Sequence, residues 1–299
     1  MDIGGATSRS EKEYILLGVE QGIRTDGRGR LDYRPVAIET NILPQTNGSA
    51  RVTISHGATT VIAASKVEVG KPDPRRPREG RVSVGAEVSN ALFPRADDRA
   101  NLEANAELAS ALTRIIVNSD TLDLEQLCII PGKFCWVIHL DVLILSSNGN
   151  ILDPASMAAY VTLNTTRIPK TTVFELEGGG GQDFDISSDF ADAELVPGAD
   201  LLPVAVTLAK VGAHWVVDAA GAEEGCAGAR VAVAANRRGK ICGVRPAGAA
   251  PLAAGDLPLL VGAAARAAAA ILERAGEIGA ATGSEKEFAF QHRGLLGEN

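Results

Sequence analysis

Apolar and polar positions along this chain follow two periods, and the switches between them mark out its elements. Residues 9–22, RSEKEYILLGVEQG, repeat at helical spacing. Ser10 stands as the cap, Glu13 follows three residues on, and Tyr14, Leu17 and Val19 give the apolar face before Gly22 ends it. After the turn-rich, basic RTDGRGRLDYRP, the segment VAIETNIL reads as a strand. In ARVTISHGATTVIAASKVEV, β-branched residues flank a polar turn at His56-Gly57, which predicts a hairpin. Repeated prolines in GKPDPRRPREG remove backbone donors and predict a loop, and RVSVGAEVSN predicts a further strand.

Leu102, Ala106, Ala109, Leu112 and Ile116 then recur every three or four residues, as on a helix. Leu127 to Ile130 and Phe134 to Ser146 predict strands, the second so uniformly apolar that it belongs in the middle of a sheet. MAAYVTLNTTR predicts a helix after the turn NGNILDPAS. Beyond the glycine run Gly178–Gln182 the plan repeats. PVAVTLAKV, HWVVDAA, ARVAVAAN and KICGVRPAG are strands, with Gly239 supplying the permissive dihedral of a turn at 236–240, and VGAAARAAAAILERAG is a long helix. The pattern predicts an α+β fold in two halves, each a sheet with a helix layer on it. The expected boundaries are an N-terminal extension and helix at 1–23, a first domain at 24–175, a linker at 176–200 and a second domain at 201–290.

Composition narrows the picture. Hydrophobic residues make up 45% of 299 and aromatics only 4%, so the core must be packed from Val, Ile, Leu and Ala. The charge, 29 − 37 = −8, argues against a protein that holds nucleic acid by its whole surface, but leaves room for a local basic track. One such track runs from Lys66 to Arg81. Lys66, Lys71, Arg75, Arg76, Arg78 and Arg81 outnumber Glu68, Asp73 and Glu79, a net 6 − 3 = +3. A guanidinium cluster on a loop can hold phosphates without reading bases, although a solvated loop or a contact to a neighbour fits the same residues. The absence of aromatic rings there predicts weak, sequence-tolerant and salt-sensitive binding.

The cysteines, Cys128, Cys135, Cys226 and Cys242, lack CxxC or metal-ligand spacing and read as reduced thiols. His56, His139 and His214 show no ligand spacing either, so no metal and no cofactor is expected. The first residues lack the apolar core of a secretory signal, and no apolar run reaches the length of a membrane span, which predicts a soluble intracellular chain. Asp218, Glu223 and Glu224, in WVVDAAGAEEGCAGARVAV, pose the sharpest chemical question. Asp218 reads as a turn or cap residue and Glu223 with Glu224 as a solvated pair, unless they form a carboxylate site; Arg230 reads as a partner for one of these acids.

Five pieces in order, GIRTDGR, GSARVTISHGATTVIAA, ELASALTRIIVNSDTLDLEQLCI, WVIHLDVLILSSNGN and PVAVTLAKVGAHWVVDAAGAEE, resemble the RNase PH family over roughly residues 20 to 280. Within it the chain most resembles the branch of eukaryotic RNA exosome core-ring subunits without phosphorolytic residues. The resemblance implies a ribosomal-S5-domain-2-like first half and a smaller RNase PH-like second half. It further implies a six-membered ring of RNase PH-like subunits that threads single-stranded RNA, S1/KH cap subunits, a hydrolytic exoribonuclease partner, and a place in nucleus, nucleolus and cytoplasm.

Active members hold phosphate with a glycine, a hydroxyl residue and an arginine after the long apolar strand. Here Leu152 and Asp153 fall at or beside the arginine position, and an aspartate there would repel the anion. On the long helix Ala111 falls where an arginine is expected and Arg114 remains. The closing carboxylate of the family's acidic motif is matched by Arg230. Leu152, Asp153, Asp218, Glu223, Glu224 and Arg230 therefore read as the outline of a former active site, with no catalytic residue. An active phosphate-dependent exoribonuclease using Asp218, Glu223 or Glu224 with Arg114 is the alternative. Arg28, Arg30 and Arg114 join the basic loop as candidate RNA contacts, while Asp26 and Asp32 can neutralise the arginines of the RTDGRGR turn.

Overall fold

The computed structural model describes residues 8–55, 57–92, 98–176, 182–279 and 286–288. His56, one half of the predicted hairpin turn, lies outside them, as does most of the glycine run at 178–182.

The first half contains helix α1 (Arg9–Glu20) and strands β1 (Val36–Thr40), β2 (Gly48–Ile54), β3 (Thr59–Gly70) and β4 (Arg81–Val88). Helix α2 (Asp98–Ile116), strands β5 (Cys128–Ile130) and β6 (Phe134–Ser146) and helix α3 (Leu152–Thr165) follow. Short strands β7 (Arg167–Ile168), β8 (Thr171–Glu175), β9 (Gln182–Ile186) and β10 (Glu194–Leu195) lead into the second half. That half holds β11 (Val204–Val211), β12 (His214–Val217), the single turn α4 (Gly221–Glu224), β13 (Ala227–Ala235), β14 (Ile241–Gly248), α5 (Asp256–Gly279) and β15 (Lys286–Phe288).

The larger sheet runs β15-β1-β2-β3-β6-β4, with β5 also on β6, and β6 is central as its apolar run predicts. Its neighbour β4 lies parallel to it, because α2 carries the chain across between them; the other pairings of this sheet are antiparallel. The smaller sheet runs β12-β11-β13-β14, antiparallel throughout. The two halves do not each carry a helix layer of their own. α3 packs on β2 and β3 of one sheet and on β11 of the other, α5 on β11, β13 and β1, and α2 on β4 and β14, so one helical layer is shared between two sheets.

This sharing explains why α3 is buried all round and mostly apolar, its few polar side chains being hydrogen-bonded inside. Every residue from Asp153 to Leu163 is buried, and a helix enclosed on all sides needs no polar face. One continuous core results, from Ile38, Val52 and Ile138 through Met157 and Leu163 to Leu208, Val233 and Ile271. Burying each of the larger side chains stabilises the fold by roughly 1.5–3 kcal/mol.

Three local expectations change. Ser8 rather than Ser10 caps α1, accepting from the Glu11 amide. The buried face of α1 is Ile15 and Val19, set against Ala209, Val211 and Val216 on the outer side of the smaller sheet, whereas Tyr14 and Leu17 are exposed. The segment read as a linker, 176–200, carries β9 and β10 and buries Ala193, Val196 and Ala199. The turn at 236–240 forms as expected, with Gly239 at φ +75° and the Asn236 side chain accepting from the amides of Arg238 and Lys240.

Candidate functional site

The loop after β6, the start of α3, the end of β12 and α4 converge with the segment 24–34. Gly149 makes the convergence possible. Its φ is +80°, and a Cβ there would lie 2.6 Å from the Gly221 amide, so only glycine lets the loop press against α4.

Asp218 is at the centre and wholly buried. Its Oδ1 accepts from Arg34 Nη2 at 2.6 Å and Asn150 Nδ2 at 2.8 Å, and its Oδ2 from Arg34 Nε at 2.7 Å and the Arg34 amide at 3.1 Å. Arg28 Nη1 lies 3.4 Å from the same oxygen. Burial pushes this carboxyl up, but the hydrogen bonds and charge of Arg34 and the charge of Arg28 outweigh it and hold the group below its ordinary value. The backbone of Asp218 is left-handed, φ +48°, and its carbonyl accepts from Arg24 and Arg28.

Glu223 is equally buried and is gripped by Arg24, whose Nε donates to Oε1 at 2.8 Å. Its Oε2 accepts from Arg24 Nη2 and from the Ala220 amide, closing the turn. Asp218 is thus a turn residue that is wholly buried, and Glu223 and Glu224 are not the solvated pair expected of them. A carboxylate removed from water needs a cation or several donors, and these have both.

Asp153 does not face an anion site. It lies in the first turn of α3, not in the preceding turn, and is fully buried. It accepts from Tyr33 Oη, Asn150 Nδ2, the Thr207 amide and Thr207 Oγ1, the last at 2.6 Å. Burial raises its pKa to about 6 against the pull of the Asn150 and Thr207 hydrogen bonds. Asn150 bridges Asp153 and Asp218, so one amide side chain ties the two carboxylates together.

A cavity open to solvent lies beside this network, about 110 Å³ between α2, the start of α3 and strands β13 and β14. Leu152 lines it, together with Glu107, Glu224, Arg230 and Arg245. Arg230 is paired with Glu224 and Arg245 with Glu107, so each guanidinium in the cavity already has a carboxylate. Ala111 is buried against the core, and the α2 positions that face the cavity are Ala104, Glu107 and Leu108. Arg114 is exposed two helical turns beyond Glu107, roughly 10 Å along the axis.

Of the other candidate cations, Arg28 points inward, its side chain 12% exposed and bonded to Asp26 at 2.7 Å. Arg30 Nη1 lies 2.6 Å from His214 Nδ1. The basic track is different. Lys66 pairs with Glu68 and Arg76 with Glu79, but Lys71, Arg75, Arg78 and Arg81 are exposed and have no carboxylate within ion-pair distance among the described residues. The loop is fastened at its base, where Pro72 and Gly80 are buried, Gly80 donates to the Leu124 carbonyl and the Pro77 carbonyl accepts from Gly132.

Arg34, Tyr33, Asn150, Thr207, Glu107 and Arg245 are the residues that sequence reasoning missed. The signal for Arg34 was available, since four arginines within RTDGRGRLDYR must find partners and an aspartate ending an apolar strand needs one. Among the described residues no group of three metal-ligating side chains comes together, and no helix is long and apolar enough to cross a membrane.

A model of the 3′ exoribonuclease family, domain 1, matches residues 32–169, and one of that family's domain 2 matches residues 202–254. The chain belongs to this family, the RNase PH family. The exosome complex component Rrp42 of Methanopyrus kandleri is 32% identical over 238 residues, covering 80% of this chain and 85% of the relative. That of Sulfurisphaera tokodaii is 34% identical over 244 residues, covering 80% and 83%. Among solved structures, an archaeal exosome core superposes with a TM-score of 0.71 at 25% identity over 89% of this chain and 96% of its own. The Archaeoglobus fulgidus exosome with RNA bound to the active site gives 0.76 at 26% identity over 89% and 97%. The two-sheet architecture with its shared helices is therefore the RNase PH fold.

Proposed function

We propose that this chain is a non-catalytic subunit of an exosome core ring, which helps to form the channel that guides single-stranded RNA to ribonucleases supplied by other subunits. One observation carries the reading: the charged groups of the family's site are spent on one another. Arg34 and Arg28 hold Asp218, Arg24 holds Glu223, Glu224 holds Arg230 and Glu107 holds Arg245. An attacking phosphate needs cations that are not already neutralised, and a general acid needs a carboxyl that reaches the substrate. Asp218 and Glu223 are buried and reach neither.

The solved exosome assemblies and the Rrp42 relatives support ring partners of the same family, and Lys71, Arg75, Arg78 and Arg81, which no described carboxylate holds, support contact with RNA phosphates. S1/KH cap subunits, a hydrolytic exoribonuclease partner and residence in nucleus, nucleolus and cytoplasm belong to the same proposal. The test is an assay of the purified chain with single-stranded RNA and inorganic phosphate, run beside native mass spectrometry of the complex recovered from cells. The reading expects no release of nucleoside diphosphates and a stable hetero-oligomer. Sustained phosphate-dependent shortening, abolished by Asp218→Asn in a folded variant, would establish an active phosphorolytic enzyme instead.

A further inference from the structure

At the foot of the basic loop two cysteines face each other. Cys128 on β5 and Cys135 on β6 are direct partners in the antiparallel register, beside a bulge that shifts Ile130 onto Phe134. Directly opposed residues in such a pair have Cα atoms roughly 4.5–5.5 Å apart, inside the roughly 4.4–6.8 Å range that a disulfide spans. Opposed side chains also share a face. Along β6 the even positions, Trp136, Ile138 and Leu140, enter the core, which puts Cys135 on the opposite side of the sheet.

That side is covered by the loop. Cys128 Sγ lies 4.0 Å from the Pro77 carbonyl, and the same carbonyl fastens the Gly132 amide of the turn between β5 and β6. Cys135 also faces Gly70, where the loop leaves β3. Both sulfurs are free thiols; Cys128 is half-buried and Cys135 is closed off from solvent. Asymmetric access of this kind sets an order of reaction, with the accessible sulfur attacked first and the covered one resolving.

We propose that Cys128 and Cys135 are an oxidation site that closes to an intramolecular cross-strand disulfide beneath the basic loop. With hydrogen peroxide as oxidant, the Cys128 thiolate attacks one peroxide oxygen, the O–O bond breaks, and a sulfenic acid forms while the hydroxide that leaves takes up, as water, the proton the thiol gave to solvent. The Cys135 thiolate then displaces the sulfenic oxygen, which leaves as a second water, so the two thiols lose two electrons and two hydrogens to one peroxide. Burial raises both thiols above their ordinary value, against the nearby charge of Arg78 at Cys128 and Arg81 at Cys135, so the reaction speeds up as pH rises from neutral. The Cys226 and Cys242 thiols stand on other elements, before and on the strands of the smaller sheet.

Treating the full chain with hydrogen peroxide at pH 8, blocking remaining thiols and digesting with trypsin without reduction tests this. Cleavage after Lys133 separates the two cysteines, so the disulfide must join the peptide 115–133 to the peptide 134–167. The expected result is that linked pair, lighter by two hydrogens than the sum of the free peptides, lost on reduction and absent in Cys128→Ser. A Cys226→Ser, Cys242→Ser double variant should still form it. Recovery of both peptides with blocked thiols, or of Cys128 carried to sulfinic acid with Cys135 still free, would overturn the proposal. The wild-type map alone decides, so a variant that fails to fold does not obscure the answer.

Discussion

Two regions of this molecule are rich in arginine and use it in opposite ways. In the interior, Arg24, Arg28 and Arg34 are buried or nearly so, and their side chains bond Glu223, Asp218 and neighbouring carbonyls. On the loop between β3 and β4, Lys71, Arg75 and Arg78 stand in water without a carboxylate among the described residues. The same side chain therefore joins two halves of the fold in one place and remains available to a ligand in the other. What separates the roles is desolvation: a cation taken out of water must be matched at once, whereas an exposed one can wait for a partner.

Breaking the interior set should have the largest effect. Arg34→Ala strands the Asp218 carboxylate and the carbonyls of Asn148 and Gly149, and should cost about 3–5 kcal/mol, read as a lower urea midpoint. Arg34→Met with Asp218→Leu should cost clearly less than Arg34→Ala, because no charge is then left alone. Equal losses would show that packing rather than charge pairing governs this junction.

The second effect is set by pH. Asp153 titrates near 6 in the folded chain against an ordinary value of 3.8, so between these values the folded state binds the more protons. Stability should fall as pH rises through that window, by on the order of 3 kcal/mol. Asp218, held below its ordinary value, acts in the other direction, its contribution lost only as pH falls through its lowered value. Urea unfolding at pH 4.5 and pH 7 measures the slope, and Asp153→Asn should flatten it.

The periodic elements were legible because burial dictates them: the apolar run of β6, the α2 repeat and the alanine-rich stretch of α5 are each what their surroundings require. The shared helix layer was not legible, since the mostly apolar sequence of α3 says that the helix is enclosed but not by what. The site was half legible. Leu152, Asp153, Asp218, Glu223, Glu224 and Arg230 do gather there, but Glu223 and Glu224 read as a solvated pair where burial gives each an arginine instead. Partners 114 to 199 positions apart, such as Arg34 with the Asn148 carbonyl or Arg24 with the Glu223 carboxylate, leave no local spacing to read.

The smallest effect on stability belongs to the loop, and it separates the two regions most cleanly. Replacing Lys71, Arg75 and Arg78 with Ala removes three charges that no described carboxylate holds, so unfolding free energy should stay within about 0.5 kcal/mol of wild type. If these groups meet phosphates in the assembled ring, each lost contact lowers the salt dependence of single-stranded RNA binding by about 0.7 in log–log slope, or about 2 for all three. Affinity should fall alike for sequences of different composition, because no ring in the loop stacks on a base. An unchanged slope with an altered complex mass would instead make the loop a contact between subunits, its cations matched by a neighbour's acids rather than by RNA.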